Sequence, residues 1–424
     1  MKISKLLQKM FEDDRWQGLL DHATDKGIEL KTIKELCYPS NRQELFLLIA
    51  NDQYIVLPPK IAKIPKDNGD FREVYVNGPR DRIVLALIND CLTELFPEGI
   101  HHKCMSYQKG MGTQTVVKKI SSEIAKSKIS GKRLGYKVDF TKYFDSVKLS
   151  SIEAIFNRLE DKLGFERGTE PVINLLRRYY RQNIYFDNEG NICEKYQSLK
   201  QGCAVAAFLS NVVMHDLDEY MSRKYKIYYR YCDDLVVLDN DTKNVIDEIN
   251  YFVSKHGVTL NPKKVEPVYK DKWLKFLGFN IKGEMITLSK GRVKKFQREV
   301  EKRSVNQRHI SADTARKQIF NYLYEGEHSW AQSCLATINV DKDIKELNAF
   351  ILDCIRACET GKKKIGGLGS VNLTDSTIVR GTGKNVKKNK EKMPIVKGYI
   401  SLQCLAKDIR ISPLVFEAVV RGAR

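Results

Sequence analysis

The sequence predicts an α+β chain, and three observations carry that prediction. Short runs rich in aromatic and branched residues come in neighbouring pairs, as in residues 61–76 and 228–238. Longer stretches with helical apolar spacing flank them, near the start, at 203–221 and over 290–358. A Gly-rich segment over 360–394 then breaks the pattern, carrying nine Lys/Arg against two Asp/Glu.

In chain order, residues 1–60 read as helical and mixed in charge, closing at Pro58 and Pro59. "IAKIPKDNGDFREVYVNGPRDRIVLALINDCL" reads as strand, turn at Asn68 and Gly69, strand, turn at Gly78 and Pro79, then a helix from about Asp81. "YKVDFTKYFDSV" is a short strand running into a turn or helix start, and "YYRYCDDLVVL" is a strand pair with a bend. A helix, "NVIDEINYFVSKHG", a loop, "VTLNPKKVEPV", and an apolar strand, "WLKFLGFNI", follow. The 290–358 region is helical and basic at its start, and 360–394 reads as a basic linker or arm before a last small piece. There is no internal repeat.

The 424 residues carry 72 Lys and Arg against 53 Asp and Glu, a net charge of +19. Such an excess fits a polyanionic partner, most simply nucleic acid. No run of 18 or more apolar residues is present, and the first residues, "MKISKLLQKMFEDDRWQ", lack the uninterrupted apolar core of a secretory signal. The expected location is the cytoplasm, with no membrane partner. The ten cysteines show no metal-ligand spacing; Cys354 and Cys358 continue the apolar helix face of Ile344, Leu347 and Ile351.

Three acids stand out against this background. Asp139 ends one strand, and Asp233 and Asp234 occupy the bend of the later pair. Taken singly, an Asp pair in a bend is an ordinary turn and Asp139 an ordinary strand end or N-cap. Brought together on neighbouring strands, the acids would crowd like charges that only raised pKa values or bound cations relieve. Hard divalent ions with oxygen ligands, above all Mg²⁺, suit such a cluster. Two of them about 3.5–4 Å apart would serve phosphoryl transfer.

These residues also resemble a known family. "YCDD" resembles the YxDD box of reverse transcriptases, and the likeness extends in the expected order over roughly residues 61–285. "IPKDNGDFREV" with "DRIV" and then "SYQKGMGTQTVV" look like the fingers blocks of group II intron-like enzymes. "VDFTKYFDSV" resembles palm motif A, "QGCAVAAFLSN" the QG-x-x-x-SP-x-x-x-N block, "LNPKKV" the block with a Lys near its end, and "FLGF" the primer-grip strand. Ala206 and Ala207 replace the usual Ser-Pro, Lys200 stands where Pro is common, and Val265 replaces a common Thr. A Cys-rich nuclease tail, retron signature blocks and an SQ-type block are missing. The chain looks most like the unknown-group, defence-associated reverse transcriptases of bacteria, with class 2 as the suggested subclass.

The resemblance implies a right-hand polymerase architecture of fingers, a palm with an antiparallel sheet and a helical thumb, plus a basic C-terminal extension. Its expected divisions are an N-terminal helical extension at 1–60, fingers at 61–135, palm at 136–285 with a fingers segment about 165–200, thumb at 286–359 and extension at 360–424. The basic helix at 290–305 would track the duplex backbone. It implies RNA-directed DNA synthesis from dNTPs on an RNA template, with two Mg²⁺ ions (Mn²⁺ the alternative). The template would be a dedicated non-coding RNA, copied in antiviral defence.

By the same likeness Asp139, Phe140, Asp233 and Asp234 mark the metal site, and Lys264 is the candidate general acid, with Lys263 competing for that role. Lys66, Arg72, Phe144, Gln201 and Gly202 would contact the nucleotide, Phe144 by crowding its 2′-OH. Tyr231, Cys232, Phe276, Leu277 and Gly278 would sit at the primer and template. Two alternatives remain: an intron-type reverse transcriptase that assists splicing, and an RNA-binding module without polymerase chemistry. The likeness does not fix the oligomeric state.

Overall fold

A computed structural model describes residues 4–21, 29–65, 71–127, 131–194, 198–326 and 329–365. Lys66, the Asn68–Gly69 turn and nearly all of the C-terminal extension lie outside these residues. The chain divides into two compact units, Met1–Gly110 with Gly135–Pro267, and Met111–Leu134 with Val268 onward.

The first unit opens with helices Lys5–Met10, Asp13–Asp21, Leu30–Cys37 and Pro39–Ala50. Ser4 caps the first of them, its hydroxyl accepting from the Leu7 N–H at 2.9 Å, and Leu6, Leu7 and Met10 are buried. Strands β1 (Lys60–Pro65) and β2 (Phe71–Val76) pair antiparallel, with Ile64 opposite Arg72. The helix Pro79–Leu95 follows, its Pro at the first turn where a missing N–H costs nothing.

Strand β3 (Arg133–Asp139) leads into the single helical turn Tyr143–Ser146 and the helices Leu149–Leu163 and Pro171–Arg181. Short strands β4 (Ile184–Phe186) and β5 (Ile192–Glu194) extend the first pair into a sheet of order β2-β1-β4-β5. Helix Val205–Val213 is apolar on nearly every face and buried along almost its whole length, which is where a helix of that composition belongs. After helix His215–Lys224 come β6 (Ile227–Tyr231), β7 (Asp234–Leu238), helix Val245–Ser254 and β8 (Glu266–Tyr269). The second sheet runs β6-β7-β3-β8.

The second unit contains helix Thr113–Lys126, whose Ser121 hydroxyl donates to the Gly283 carbonyl at 2.8 Å. Three strands, β9 (Leu274–Phe276), β10 (Phe279–Lys282) and β11 (Met285–Leu288), form an antiparallel meander. Helices Lys290–Lys302, Ala312–Tyr324 and Asp341–Thr360 complete it. In the last helix Ile344, Leu347, Ile351 and Cys354 are buried, the apolar face expected from their spacing.

One sequence expectation needs correction. "WLKFLGFNI" is two strands joined by a turn at Leu277 and Gly278, with φ of 47° and 80°. Both positions take the left-handed region that tight hairpins demand. A Cβ on Gly278 would also stand 2.2 Å from Arg292 Nε, so glycine suits the position on both counts.

Candidate active site

The candidate site is built on two strand ends of the second sheet. β3 runs antiparallel to β7 with Asp139 directly opposite Asp234, and β6 meets β7 with Tyr231 opposite Asp234. That register leaves Cys232 and Asp233 as a two-residue hairpin loop. The sheet therefore gathers all three acids at one end. The close approach of the strands needs a glycine, since a Cβ on Gly135 would lie 1.9 Å from the Val237 carbonyl oxygen.

Past Asp139 the chain stays pinned to its neighbours. The Phe140 N–H donates to the Asp233 carbonyl at 3.1 Å, and the Thr141 N–H to the Thr259 carbonyl at 2.8 Å. The Asn261 N–H donates to the Asp139 carbonyl at 2.9 Å. This pairing delivers the short helical turn Pro262–Lys264 to the acids. Of the two adjacent lysines, Lys264 reaches the site, its ammonium donating to Asp139 Oδ2 at 2.7 Å.

Burial and repulsion shape the charges. Burial, followed by the charge of Asp139, raises the Asp233 carboxyl above its ordinary range. Burial, followed by the charge of Asp233, raises Asp234 to about 7. Lys137, buried on β3 two residues before Asp139, places its ammonium 4.0 Å from Asp234 and 3.2 Å from Glu266. Desolvation works against the Lys264 ammonium, but the hydrogen bond and charge of Asp139 hold its pKa above the usual value.

The other expected residues fall in several places. Phe140 is buried with its ring 5.5 Å from that of Tyr143, and half-buried Phe144 lies one position further along the same helical turn. Arg72 on β2 is near enough for its charge to favour ionised Asp233. Gln201 and Gly202 lie against β2, where the Gln201 carbonyl accepts from the Tyr75 N–H at 2.7 Å. Gly202 has φ 105°, and a Cβ there would meet the Tyr75 carbonyl at 2.6 Å. Tyr231 and Cys232 flank the acids in sequence, and the Cys232 thiol lies 3.8 Å from the Tyr107 hydroxyl. Phe276, Leu277 and Gly278 belong to the second unit.

Several residues around the acids were not expected from the sequence. Lys137 stands two residues before Asp139, an alternation that puts both on one face. Ser106, Asn211, Asp218 and Arg230, which surround the Cys232 backbone, gave no local signal of working together.

Among the described residues, no three His, Cys, Asp or Glu side chains are arrayed to hold a metal ion. The chemistry of the donor set still fits a hard divalent cation. The three acids offer oxygen ligands, and two of them are pushed toward protonation by burial and mutual repulsion, which a cation would relieve.

A family model described as reverse transcriptase (RNA-dependent DNA polymerase) matches residues 64–281, more than half of the chain. The chain belongs to the reverse transcriptase family. This reverse transcriptase-family chain is 22% identical over 282 residues to the COX1/OXI3 intron 1 protein of Saccharomyces cerevisiae, covering 53% of the chain and 32% of that protein. It is 25% identical over 191 residues to the retron Ec73 reverse transcriptase of Escherichia coli, covering 43% and 54%. The chain thus spans only part of the length of either relative. A solved RNA-dependent RNA polymerase of a human picobirnavirus, an insertion-loop deletion mutant, is similar with a TM-score of 0.48 and 13% identity, covering 71% of this chain and 58% of that one.

Proposed function

We propose that the chain is an RNA-directed DNA polymerase that joins dNTPs to a primer on an RNA template. The observation that carries this reading is the register of β3 and β7, which sets Asp139 opposite Asp234 with Asp233 in the adjoining loop. Family membership supports the same chemistry. Asp139, Asp233 and Asp234 would hold Mg²⁺, or Mn²⁺ in its place. When bound, such ions stabilise the attacking and leaving oxygens of nucleotidyl transfer.

The chain's own groups supply the rest. Lys264 donates a proton to the departing pyrophosphate, and Arg72 neutralises triphosphate charge. Lys66 would share that task. Gln201 and the side-chain-free Gly202 line the nucleotide pocket, and Phe144 crowds a ribose 2′-OH. Tyr231 and Cys232 border the primer end, and Phe276, Leu277 and Gly278 grip the primer. The proposal keeps the division into fingers, palm, thumb and basic extension that the resemblance implies.

Primer extension on RNA with dNTPs and Mg²⁺ tests the proposal, comparing wild type with Asp233→Ala plus Asp234→Ala. Incorporation by wild type alone is expected. Equal incorporation by both, or none by either, would leave an RNA-binding module as the better account.

The finer reading is a cytoplasmic enzyme that copies a dedicated non-coding RNA in antiviral defence. Its support is the sequence likeness to the unknown-group enzymes, including the drifted block at Ala206 and Ala207. Sequencing the copurifying RNA and the DNA made from it tests this, with one enriched RNA and its matching DNA expected. A second reading, an intron-type enzyme that assists splicing, draws on the 22% identity to the yeast intron protein. It requires that the enriched RNA be an intron.

A further inference from the structure

Cys232 has φ 60°, a left-handed backbone that non-glycine residues avoid unless their surroundings impose it. Both polar groups of its backbone are held by buried side chains. The Cys232 N–H donates to Ser106 Oγ at 3.0 Å, and its carbonyl accepts from Arg230 Nη1 at 3.0 Å. Arg230 and Asp218 are both fully buried and paired through two bonds, Nε to Oδ1 at 2.7 Å and Nη2 to Oδ2 at 2.6 Å. Nη2 also donates to the Asn211 carbonyl at 3.1 Å. The Asn211 side chain closes the ring, accepting from Ser106 Oγ at 2.8 Å and donating to the Ser106 carbonyl at 2.8 Å.

An ion pair removed from water contributes little net stability compared with apolar residues of like volume. What this pair offers instead is fixed direction, because the guanidinium plane is locked on Asp218 and its free edge aims at the Cys232 carbonyl. We propose that Arg230, held by Asp218, and Ser106, held by Asn211, are positioning residues that lock the Cys232–Asp233 loop and so aim the Asp233 carboxylate. They touch neither substrate nor reacting atoms, and the proposal rests on the polymerase reading of the site.

The test uses the full chain in two forms. Ser106→Ala removes the acceptor of the Cys232 N–H and the donor to Asn211 Oδ1, with little loss of volume. Arg230→Met with Asp218→Leu replaces the ion pair by apolar groups. Each is compared with wild type by thermal midpoint, primer-extension kcat and dNTP KM, Mn²⁺ affinity by calorimetry without nucleic acid, and amide exchange of a peptide spanning Cys232 and Asp233.

Positioning predicts at least tenfold lower kcat, dNTP KM within twofold, at least tenfold weaker Mn²⁺ binding and faster exchange of that peptide, at a retained thermal midpoint. Wild-type kcat, Mn²⁺ affinity and exchange in folded Ser106→Ala would overturn it, whether or not the double variant folds. If wild type itself incorporates no nucleotide, the polymerase reading fails, while calorimetry and exchange still decide whether these residues lock the loop.

Discussion

At Asp234 the charge state and the stability of the fold are coupled. Burial, then the charge of Asp233, raises this carboxyl from 3.8 to about 7. Between those values the folded chain keeps a proton that the unfolded chain has already released. Stability without metal therefore falls as pH rises through that window, by no more than about 1.4 kcal/mol per pH unit from this group. Thermal midpoints in chelator should decline from about pH 4 to 7 and level off above that. Asp234→Asn should flatten the decline, and Mn²⁺ should restore stability more at the high end than at the low end. Lys264 gives a second prediction at this scale. Under the proposed role as proton donor, Lys264→Met should lower kcat about 10²-fold or more with dNTP KM little altered, as measured by single-nucleotide incorporation. The acids were legible in the sequence because charge inside an apolar strand is conspicuous. Arg230 and Asp218 were not, since Arg230 falls in a strand run and Asp218 in the helical stretch 203–221, with nothing in either segment that pairs them. Their partnership spans 12 positions and exists only once β6 lies beside helix His215–Lys224.

At the scale of elements, two glycines are each met closely by a neighbour, Gly135 by a backbone carbonyl and Gly278 by the Arg292 side chain. Gly135→Ala would drive a methyl into the Val237 carbonyl and part β3 from β7, the pair that faces Asp139 with Asp234. A loss of roughly 2–3 kcal/mol in denaturant unfolding is expected, with primer extension reduced more than stability alone accounts for. The Leu277–Gly278 turn is locked differently: Arg292 donates to the Leu277 carbonyl at 3.0 Å, and its guanidinium carbon lies 4.2 Å from the centre of the Phe279 ring. Gly278→Ala should disturb that turn and loosen the meander, seen as faster amide exchange over β9 and β10. The strand pair at 228–238 was readable because its acids break an apolar run at the centre. "WLKFLGFNI" was not, because its turn borrows an apolar leucine for a left-handed position and leaves the alternation unbroken.

At the scale of the whole molecule, the excess of 72 basic over 53 acidic residues must be reconciled with a site whose chemistry is acidic. A polyanion drawn by the general field would meet local repulsion at Asp139, Asp233 and Asp234 unless cations, Lys264 and Lys137 offset them. Binding and chemistry should therefore answer differently to charge removal. Deleting residues 366–392 removes six of the chain's basic residues and leaves the described helices intact. If that segment binds RNA, the slope of log affinity against log salt should shrink by about 0.7 for each single-strand phosphate it no longer neutralises. Single-turnover incorporation at saturating RNA should stay near wild type, because no acid or pocket residue is touched. An unchanged slope would assign the salt-dependent affinity to basic surfaces elsewhere in the chain. A fall in saturated turnover would instead tie the segment to the chemical step.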